Sequence, residues 1–175
     1  MYNSIIMALI TSPTETMPDL NYEYHTITFD SVGQNSSNNF TVFLNNPLNN
    51  VVQAKLLAAH IHTTDHTEHC YLSIEELNSI FSDRTSNVYE GQGDITTVRG
   101  SFASLISEAT SHAGSDSLIV YKDNYNMATQ FINPIRKIDR LTVTLRNQAG
   151  ETIKNSTTSG SNFFIVRFVC RKPNL

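Results

Sequence analysis

Residues 140–153, RLTVTLRNQAGETI, alternate apolar and polar side chains and then break into a turn. Leu141, Val143 and Leu145 occupy every second position, and threonines lie between them. Successive side chains of a strand point to opposite faces, so this spacing predicts a strand with one buried face. NQAG then supplies turn-forming residues, and the residues after it lead back. The stretch therefore predicts a β-hairpin.

The same two-residue period recurs along the chain on both sides of this hairpin. Further strands are predicted in HTITF, NFTVFL, VVQAKLLAAHIH, the start of CYLSIEELNSIF, SFASLI, SLIVY, MATQFI and NFFIVRFVC. SLIVY and MATQFI are separated by the short polar segment KDNYN, so they are expected to pair with each other as a hairpin. In VVQAKLLAAHIH the core face is expected to carry Val52, Ala54, Leu56, Ala58 and His60.

Two other local patterns predict how strands are connected. Ser73 and Glu76 have the spacing of a capping box ahead of Leu77, which predicts one or two helical turns after a short strand and through residues 80–81. The polar run DSVGQNSSNN, residues 30–39, predicts an exposed connection. Residues 82–100 are polar and predict a long loop.

About eight strands with no convincing long helix predict an all-β protein. Eight antiparallel strands in two packed sheets form a single eight-stranded jelly roll, which is the expected fold. The 175 residues suit one domain, so residues 24–175 are assigned to the jelly roll and residues 1–23 to an N-terminal arm. The arm has an apolar stretch that lacks a basic region and is too short to cross a membrane, so neither a signal peptide nor a transmembrane segment is predicted.

Charge and cysteine usage exclude several classes of function. The formal net charge is −4, and the twelve Lys and Arg residues are scattered, so no basic groove for sequence-specific nucleic-acid contact is predicted. Cys70 and Cys170 lie far apart and form no Cys-x-x-Cys motif. We interpret them as free thiols, with a disulfide between them as the alternative.

Residues 60–70, HIHTTDHTEHC, are the best candidate for chemistry in the chain. His60 and His62 lie two apart, so on a strand they face the same way, as in the metal site of cupins, with Glu68 as a further ligand. Five residues separate His62 from Glu68, and the flanking glycines of a cupin are missing. The pattern favours a solvated loop at residues 62–69, between two strands, rather than a metal site. Because Gly-x-Ser-x-Gly and phosphate-binding loops are also missing, the sequence predicts no enzyme and no cofactor.

Three segments together resemble the single-jelly-roll penton and minor capsid proteins of virophages, polinton-like viruses and related large double-stranded DNA viruses. They are FTVFLNNPLNNVVQAKLLAAHI, YLSIEELNS and NPIRKIDRLTVTLRNQAGETI. The matching positions are Pro47, residues 71–78, and residues 138–141 leading to Gly150, with Ile138 where the family has Leu. The likeness covers roughly residues 38–170.

The resemblance implies a structural protein of an icosahedral virion, assembled inside the host cell. It implies most directly a penton, a homopentamer at each five-fold vertex that contacts the neighbouring major capsid protein. A minor capsid or cement protein between major capsomers stays open as an alternative. So does, in a different class, a cupin-like metal-dependent enzyme or a ligand-binding jelly roll.

Two groups of residues are candidates for subunit contacts. The last strand is largely apolar on both faces, which is typical of a strand central in a sheet or covered by a neighbouring subunit. A charged cluster precedes the strand of the first hairpin; it could pair across subunits or be simply solvated. The candidates are Arg136, Lys137, Asp139, Arg140, Phe163, Ile165 and Arg167.

Overall fold

The computed structural model describes residues 21–63, 67, 69–78, 98, 100–106, 117–123, 128–148, 150–153 and 161–173. These residues form seven strands and one short 3₁₀ turn. The strands are β1 Tyr22–Asp30, β2 Asn39–Thr63, β3 His69–Ile74, β4 Ala103–Ile106, β5 Ser117–Tyr121, β6 Ala128–Arg146 and β7 Phe163–Arg171, and the turn is Glu75–Leu77. β1 begins two residues inside the stretch predicted as the arm, and the arm itself stays a prediction.

All seven strands belong to one curled antiparallel sheet. Its order is β1-β7-β2-β6-β3-β4, and β5 pairs with β2. The predicted all-β class and the strand in SFASLI are confirmed. β7 is a central strand, with β1 on one side and β2 on the other, as its apolar pattern predicted.

Two long strands each join two segments that were predicted as separate strands, and the described residues form seven strands. β2 joins the segments predicted separately in NFTVFL and VVQAKLLAAHIH, and β6 joins MATQFI to RLTVTLR. β2 is irregular where these halves meet: its register shifts between Phe43 and Leu48 and again between Val51 and Gln53. Asn50 has a φ of 51° at this bend. Such bulges bend a strand without ending it.

The same bulges change which face of β2 is buried. Of the five positions predicted for the core, Ala54 and Leu56 are buried. The prediction is wrong for Val52, Ala58 and His60, which are only half-buried. A shift in register between Leu56 and Ala58 moves the buried face to residues 59, 61 and 63. One extra residue reverses the side-chain alternation that follows it.

The predicted pairing of SLIVY with MATQFI is wrong. β5 pairs with the end of β2, from Ala59 opposite Tyr121 onward, and β6 takes over along the same strand at Lys55 opposite Ala128. Both run antiparallel to β2, so they lie end to end rather than side by side. A turn-rich segment suits either arrangement, and the long edge of β2 decides between them.

The predicted capping box between Ser73 and Glu76 is also wrong. The residue that caps the 3₁₀ turn is Ile74, and no side chain caps it. The Glu76 carboxylate instead accepts hydrogen bonds from the backbone N–H and the hydroxyl of Thr142 on β6, at 2.7 Å and 2.9 Å. Residues 80 and 81 lie outside the described residues.

The hairpin predicted in RLTVTLRNQAGETI is confirmed as far as Ile153. Asn147 accepts a hydrogen bond from the N–H of Gly150 and donates to the carbonyl of Glu151, which closes the turn. The N–H of Ile153 then donates to the carbonyl of Leu145. Gly150 has a φ of 82°, a conformation that suits glycine.

One apolar core holds the curled sheet together. On β7 the buried face carries Phe164, Val166, Phe168 and Cys170. The ring of Phe164 stacks on Phe29 of β1 at 5.1 Å and lies 6.4 Å from Phe40 of β2. The first half of β2 therefore folds back over the inner face of β7.

Candidate functional site

The histidine stretch begins on the outer face of β2. His60 and His62 lie on the same side of the strand, with ring centroids 5.1 Å apart in an edge-to-face arrangement. Glu68, the third candidate ligand, lies outside the described residues. Among the residues that the structure describes, no group of three or more His, Cys, Asp or Glu side chains is placed to hold a metal ion.

The stretch is only partly the polar loop that its composition predicts. β2 continues through Thr63, and β3 already begins at His69. Thr63 and Thr67 are buried. The ring of His69 packs edge-on against Tyr71, 5.7 Å away. The described part of the stretch is therefore a structural junction between two strands, with His60 and His62 at the surface.

Buried polar groups around Asn162 hold this junction in place. We call these hydrogen-bonded groups the Asn162 network. The Asn162 side chain accepts a hydrogen bond from the backbone N–H of His62 and donates to the carbonyl of Ser37 and to the side-chain oxygen of Asn38, all between 2.7 Å and 2.8 Å. Its backbone exchanges hydrogen bonds with Ser31, and the Asn38 amide donates to the carbonyl of Ile153. Four separate segments are joined.

The Asn162 network was missed by sequence reasoning. The connection between β1 and β2 is rich in Asn and Ser, which predicted an exposed turn region, yet Asn38 is fully buried and Ser31 nearly so. The usable signal is position: Asn38 and Asn162 each directly precede a strand. Burial of such groups is tolerated because each finds hydrogen-bonding partners.

The charged cluster predicted for subunit contacts lies in the middle of β6 and at the surface. Lys137 and Asp139 form an ion pair of 3.2 Å, and each side chain is more than half exposed. Arg140 lies 3.7 Å from Glu76 and is also exposed. Arg136 is exposed as well. The Lys137–Asp139 pair is open to water, so it contributes little to the stability of the single chain.

The other predicted contact residues form the outer face of β7, here the β7 face, made of Phe163, Ile165 and Arg167. Phe163 is 37% exposed, Arg167 is exposed and Ile165 is half-buried. His60 of β2 is the cross-strand neighbour of Phe163, and Ala58 is the neighbour of Ile165. The face is therefore apolar at one end and cationic at the other.

The sheet does not make the two predicted groups neighbours. Arg140 and Lys137 pair with Phe43 and Asn49 in the first half of β2, whereas the β7 face pairs with the second half. The chain thus offers two separate surfaces, one charged and one largely apolar.

Both cysteines are free, as the sequence indicated, and both are buried. Burial raises the pKa of the Cys70 thiol from its ordinary value of 9.0 to about 12. Burial also raises the pKa of Cys170, with a smaller contribution from the negative charge of Glu23. A thiol that stays protonated is a poor nucleophile and a poor metal ligand, so neither group suits chemistry.

No family model matches this chain, and no curated protein matches it. No helix in the described part of the chain is long and apolar enough to cross a membrane.

Proposed function

We propose that this chain is a structural capsid protein with a jelly-roll fold, and that it is the penton, with five copies closing a ring at each icosahedral vertex. The observation that carries the proposal is the β7 face. A central strand that is fully packed on its inner side also presents Phe163 and Ile165 outward. A subunit that buries surface in an assembly needs such a face.

The strand order supports the jelly-roll part of the proposal. When β2 and β6 are each divided where the register of their pairing shifts, one group has four positions: β1, β7, the second half of β2, and a position that the first half of β6 and β5 share end to end. The other is the first half of β2, the second half of β6, β3 and β4. The proximity of Phe40 to Phe164 places the first half of β2 over the other group. Two facing groups of four antiparallel strands are the layers of a jelly roll.

The resemblance to capsid proteins gains support from a contact between two of the segments that carry it. Glu76 belongs to the segment 71–78, and its carboxylate bonds to Thr142. Arg140 belongs, like Thr142, to the segment 133–153, and it contacts the same carboxylate. Segments that resemble one family and are far apart in sequence thus form one structural unit.

A penton works by geometry. The β7 face would pack against a different surface of the next copy, and a five-fold rotation closes this heterologous contact into a ring. The exposed charges of Arg136, Lys137, Asp139 and Arg140 would then face the neighbouring major capsid protein. Rim contacts of this kind select and orient a partner more than they add affinity.

The test is the mass of the purified full-length chain in native mass spectrometry, together with its images in electron microscopy. We expect particles of five copies. A chain that stays monomeric at every concentration and in the presence of the major capsid protein contradicts the proposal.

Two further measurements separate the alternatives. In reconstituted particles, density at the five-fold vertices supports the penton, whereas density between major capsomers identifies a cement protein. Metal analysis addresses the other class. About one transition metal per chain, lost together with an enzymatic activity in His60→Ala or His62→Ala, would show a cupin-like enzyme instead.

A further inference from the structure

A groove runs between β1 and the first half of β2, here the edge groove, lined by residues 25–30, 32, 34 and 42–48. Its volume is about 600 Å³. The apolar side chains among its lining are Ile27, Phe29, Val32, Val42, Phe43, Leu44, Pro47 and Leu48. The lining contains no Lys or Arg, and its charged group is Asp30.

Both walls of the edge groove are strand edges. Within the described residues β1 pairs with β7 alone, and residues 39–49 of β2 pair with β6 alone. The outward N–H and C=O groups of both strands therefore have no strand partner among the residues that the structure describes. Proteins usually cover such edges, because exposed ones pair with any available strand.

Large apolar side chains at the edge groove are also left in water. Phe43 is 75% exposed and Val32 is 67% exposed. An unpaired edge beside exposed apolar side chains fits an extended segment, whose backbone pairs with the edge and whose alternate side chains enter the groove.

The chain itself contains a segment of this kind, directly before β1. Twenty residues precede Asn21, and residues 5–10, IIMALI, are all apolar, with no charge, Gly or Pro. Residues 11–21 connect this segment to β1 and contain both prolines of the N-terminal region. Eleven residues span up to roughly 36 Å, which is enough to reverse direction and return along β1. Neither this segment nor the lining of the groove contains Lys or Arg, so binding of the segment does not remove a cationic side chain from water.

We propose that the edge groove binds residues 5–10 of the same chain, which add to the free edge of β1 as one more antiparallel strand. The groove is thereby closed by the N-terminal region of its own subunit. This assignment does not depend on the capsid function proposed above, because it concerns how a single chain covers its own sheet.

Photo-cross-linking of the full-length protein tests the occupant without assuming a register. Phe43→p-benzoylphenylalanine places a photoreactive group in the edge groove, and Ile132→p-benzoylphenylalanine places one on β6, at a side chain that is 84% exposed and does not line the groove. After irradiation, mass spectrometry of an equal mixture of isotopically light and heavy chains identifies the partner peptide and whether it lies in the same copy.

We expect position 43 to cross-link to residues 5–10 of its own chain and position 132 not to do so. Cross-links from position 43 that always join two different copies overturn the proposal in favour of exchange between subunits. The absence of any cross-link from position 43 to residues 5–10 overturns it as well.

Hydrogen exchange of the backbone amides provides a second, independent readout. The double variant Ile6→Asp, Leu9→Asp places charges on both faces of the segment, and Thr14→Asp adds a charge to the connecting residues as the matched control. We expect those amides of residues 22–30 that do not bond to β7 to exchange at least about tenfold faster in the double variant and at the wild-type rate in the control. Equal exchange in all three proteins would rule the proposal out.

Discussion

Asn162 is the residue that joins the largest number of separate segments in the buried polar network described above. Its side chain and backbone join the connection between β1 and β2, the end of β2, and the start of β7. The residue is fully buried, so water does not compensate when one of these hydrogen bonds is lost. A buried polar network of this kind fixes the position of the segments more than an apolar contact would.

Replacing Asn162 with Ala should therefore destabilise the fold strongly. The change removes the hydrogen bonds that the Asn162 side chain makes with the backbone N–H of His62 and the carbonyl of Ser37. We expect a loss of about 2–4 kcal/mol in the free energy of unfolding, measured by urea denaturation. Asn35→Ala is the matched control, because Asn35 is an exposed asparagine in the same connection, and its effect should stay within about 0.5 kcal/mol. Equal losses in the two variants would contradict this account.

The Cys70 thiol should make the protein less stable at alkaline pH. Its pKa in the folded state is raised to about 12, above the ordinary value of 9.0 that the unfolded chain has. Below pH 9 both states keep the proton, and the stabilisation is fully present. Between pH 9 and 12 the unfolded state loses the proton first, so the free energy of unfolding falls by about 1.4 kcal/mol per pH unit.

The measurement is urea denaturation at several pH values between 8 and 10.5. In Cys70→Ala this part of the decline should disappear, whereas tyrosine and lysine titrations remain common to both proteins. The slope, rather than the absolute stability, is compared, because the substitution also removes a buried side chain. If the free energy of unfolding declined with the same slope in both proteins, the pKa of the Cys70 thiol would not be raised in the folded state.

At the scale of the element, β2 pairs with three other strands along its length: with β6, with β7 and, at its end, with β5. A strand of 25 residues has to bend to do so, and the bend lies at Asn50, where φ is 51°. Asn and Gly adopt this left-handed conformation more readily than other residues, and β-branched residues adopt it least. The bulges around this residue also determine which side chains of β2 enter the core.

A β-branched residue at position 50 should weaken the bend. We expect Asn50→Val to reduce the free energy of unfolding by about 1–2 kcal/mol and Asn50→Gly to leave it within about 0.5 kcal/mol. Asn49→Val serves as the control, because Asn49 is an exposed neighbour with ordinary strand geometry, and valine suits a strand there. A neutral result for Asn50→Val would mean that the bend does not depend on this residue.

The 3₁₀ turn Glu75–Leu77 extends the contact between β3 and β6 through a side chain. β3 pairs with β6 up to Ile74 opposite Val143, and the Glu76 carboxylate then bonds to the next residue of β6, Thr142. A carboxylate thus takes the place of one more backbone partner. Charge-assisted hydrogen bonds of this type are stronger than neutral ones.

Removal of this carboxylate should loosen the end of β3. Glu76→Ala is expected to cost about 1–3 kcal/mol in the free energy of unfolding, because the N–H of Thr142 loses its acceptor in a part-buried site. Glu75→Ala is the matched control in the same turn, since Glu75 is exposed. If chemical denaturation gave the same midpoint for both variants, the contact would have no energetic role.

At the scale of the whole molecule, the β7 face and the charged cluster are separate surfaces on one curled sheet. In the proposed penton the apolar surface holds the ring together, and the charged surface meets other capsid proteins. Burial of apolar side chains drives association, whereas exposed ion pairs chiefly affect partner choice and salt dependence. A substitution on the β7 face should therefore affect assembly more than folding.

Phe163→Lys should abolish the pentamer and leave the single chain folded. The residue is already 37% exposed, so the folded chain tolerates a charge there, whereas a buried interface does not. Ile132→Lys is the control, because Ile132 is more exposed and lies on β6. We expect native mass spectrometry to give monomers for the first variant and pentamers for the second. Circular dichroism checks that both remain folded, and pentamers of both variants would exclude the β7 face as the contact.

The sequence by itself determined the local structure. Alternation of apolar and polar residues predicted the β class and the hairpin that ends at Ile153, because these depend on the burial of each side chain in turn. The apolar character of both faces of the last strand predicted its central position in the sheet, but not which of its faces is buried. The penton assignment comes from resemblance and stays a proposal.

Only the tertiary structure decided which strands pair and where the alternation changes phase. β5 pairs with β2 instead of β6, and the bulges in β2 shift its buried face at Ala59. Asn38 and Asn162 can be buried because each has hydrogen-bonding partners elsewhere in the fold. The Asn38 amide donates to the carbonyl of Ile153 and the Asn162 amide donates to Asn38, and in both cases the partners are more than a hundred residues apart in sequence. A local pattern contains no information on such distant partners, since strand pairing and buried hydrogen bonds depend on how the whole chain closes.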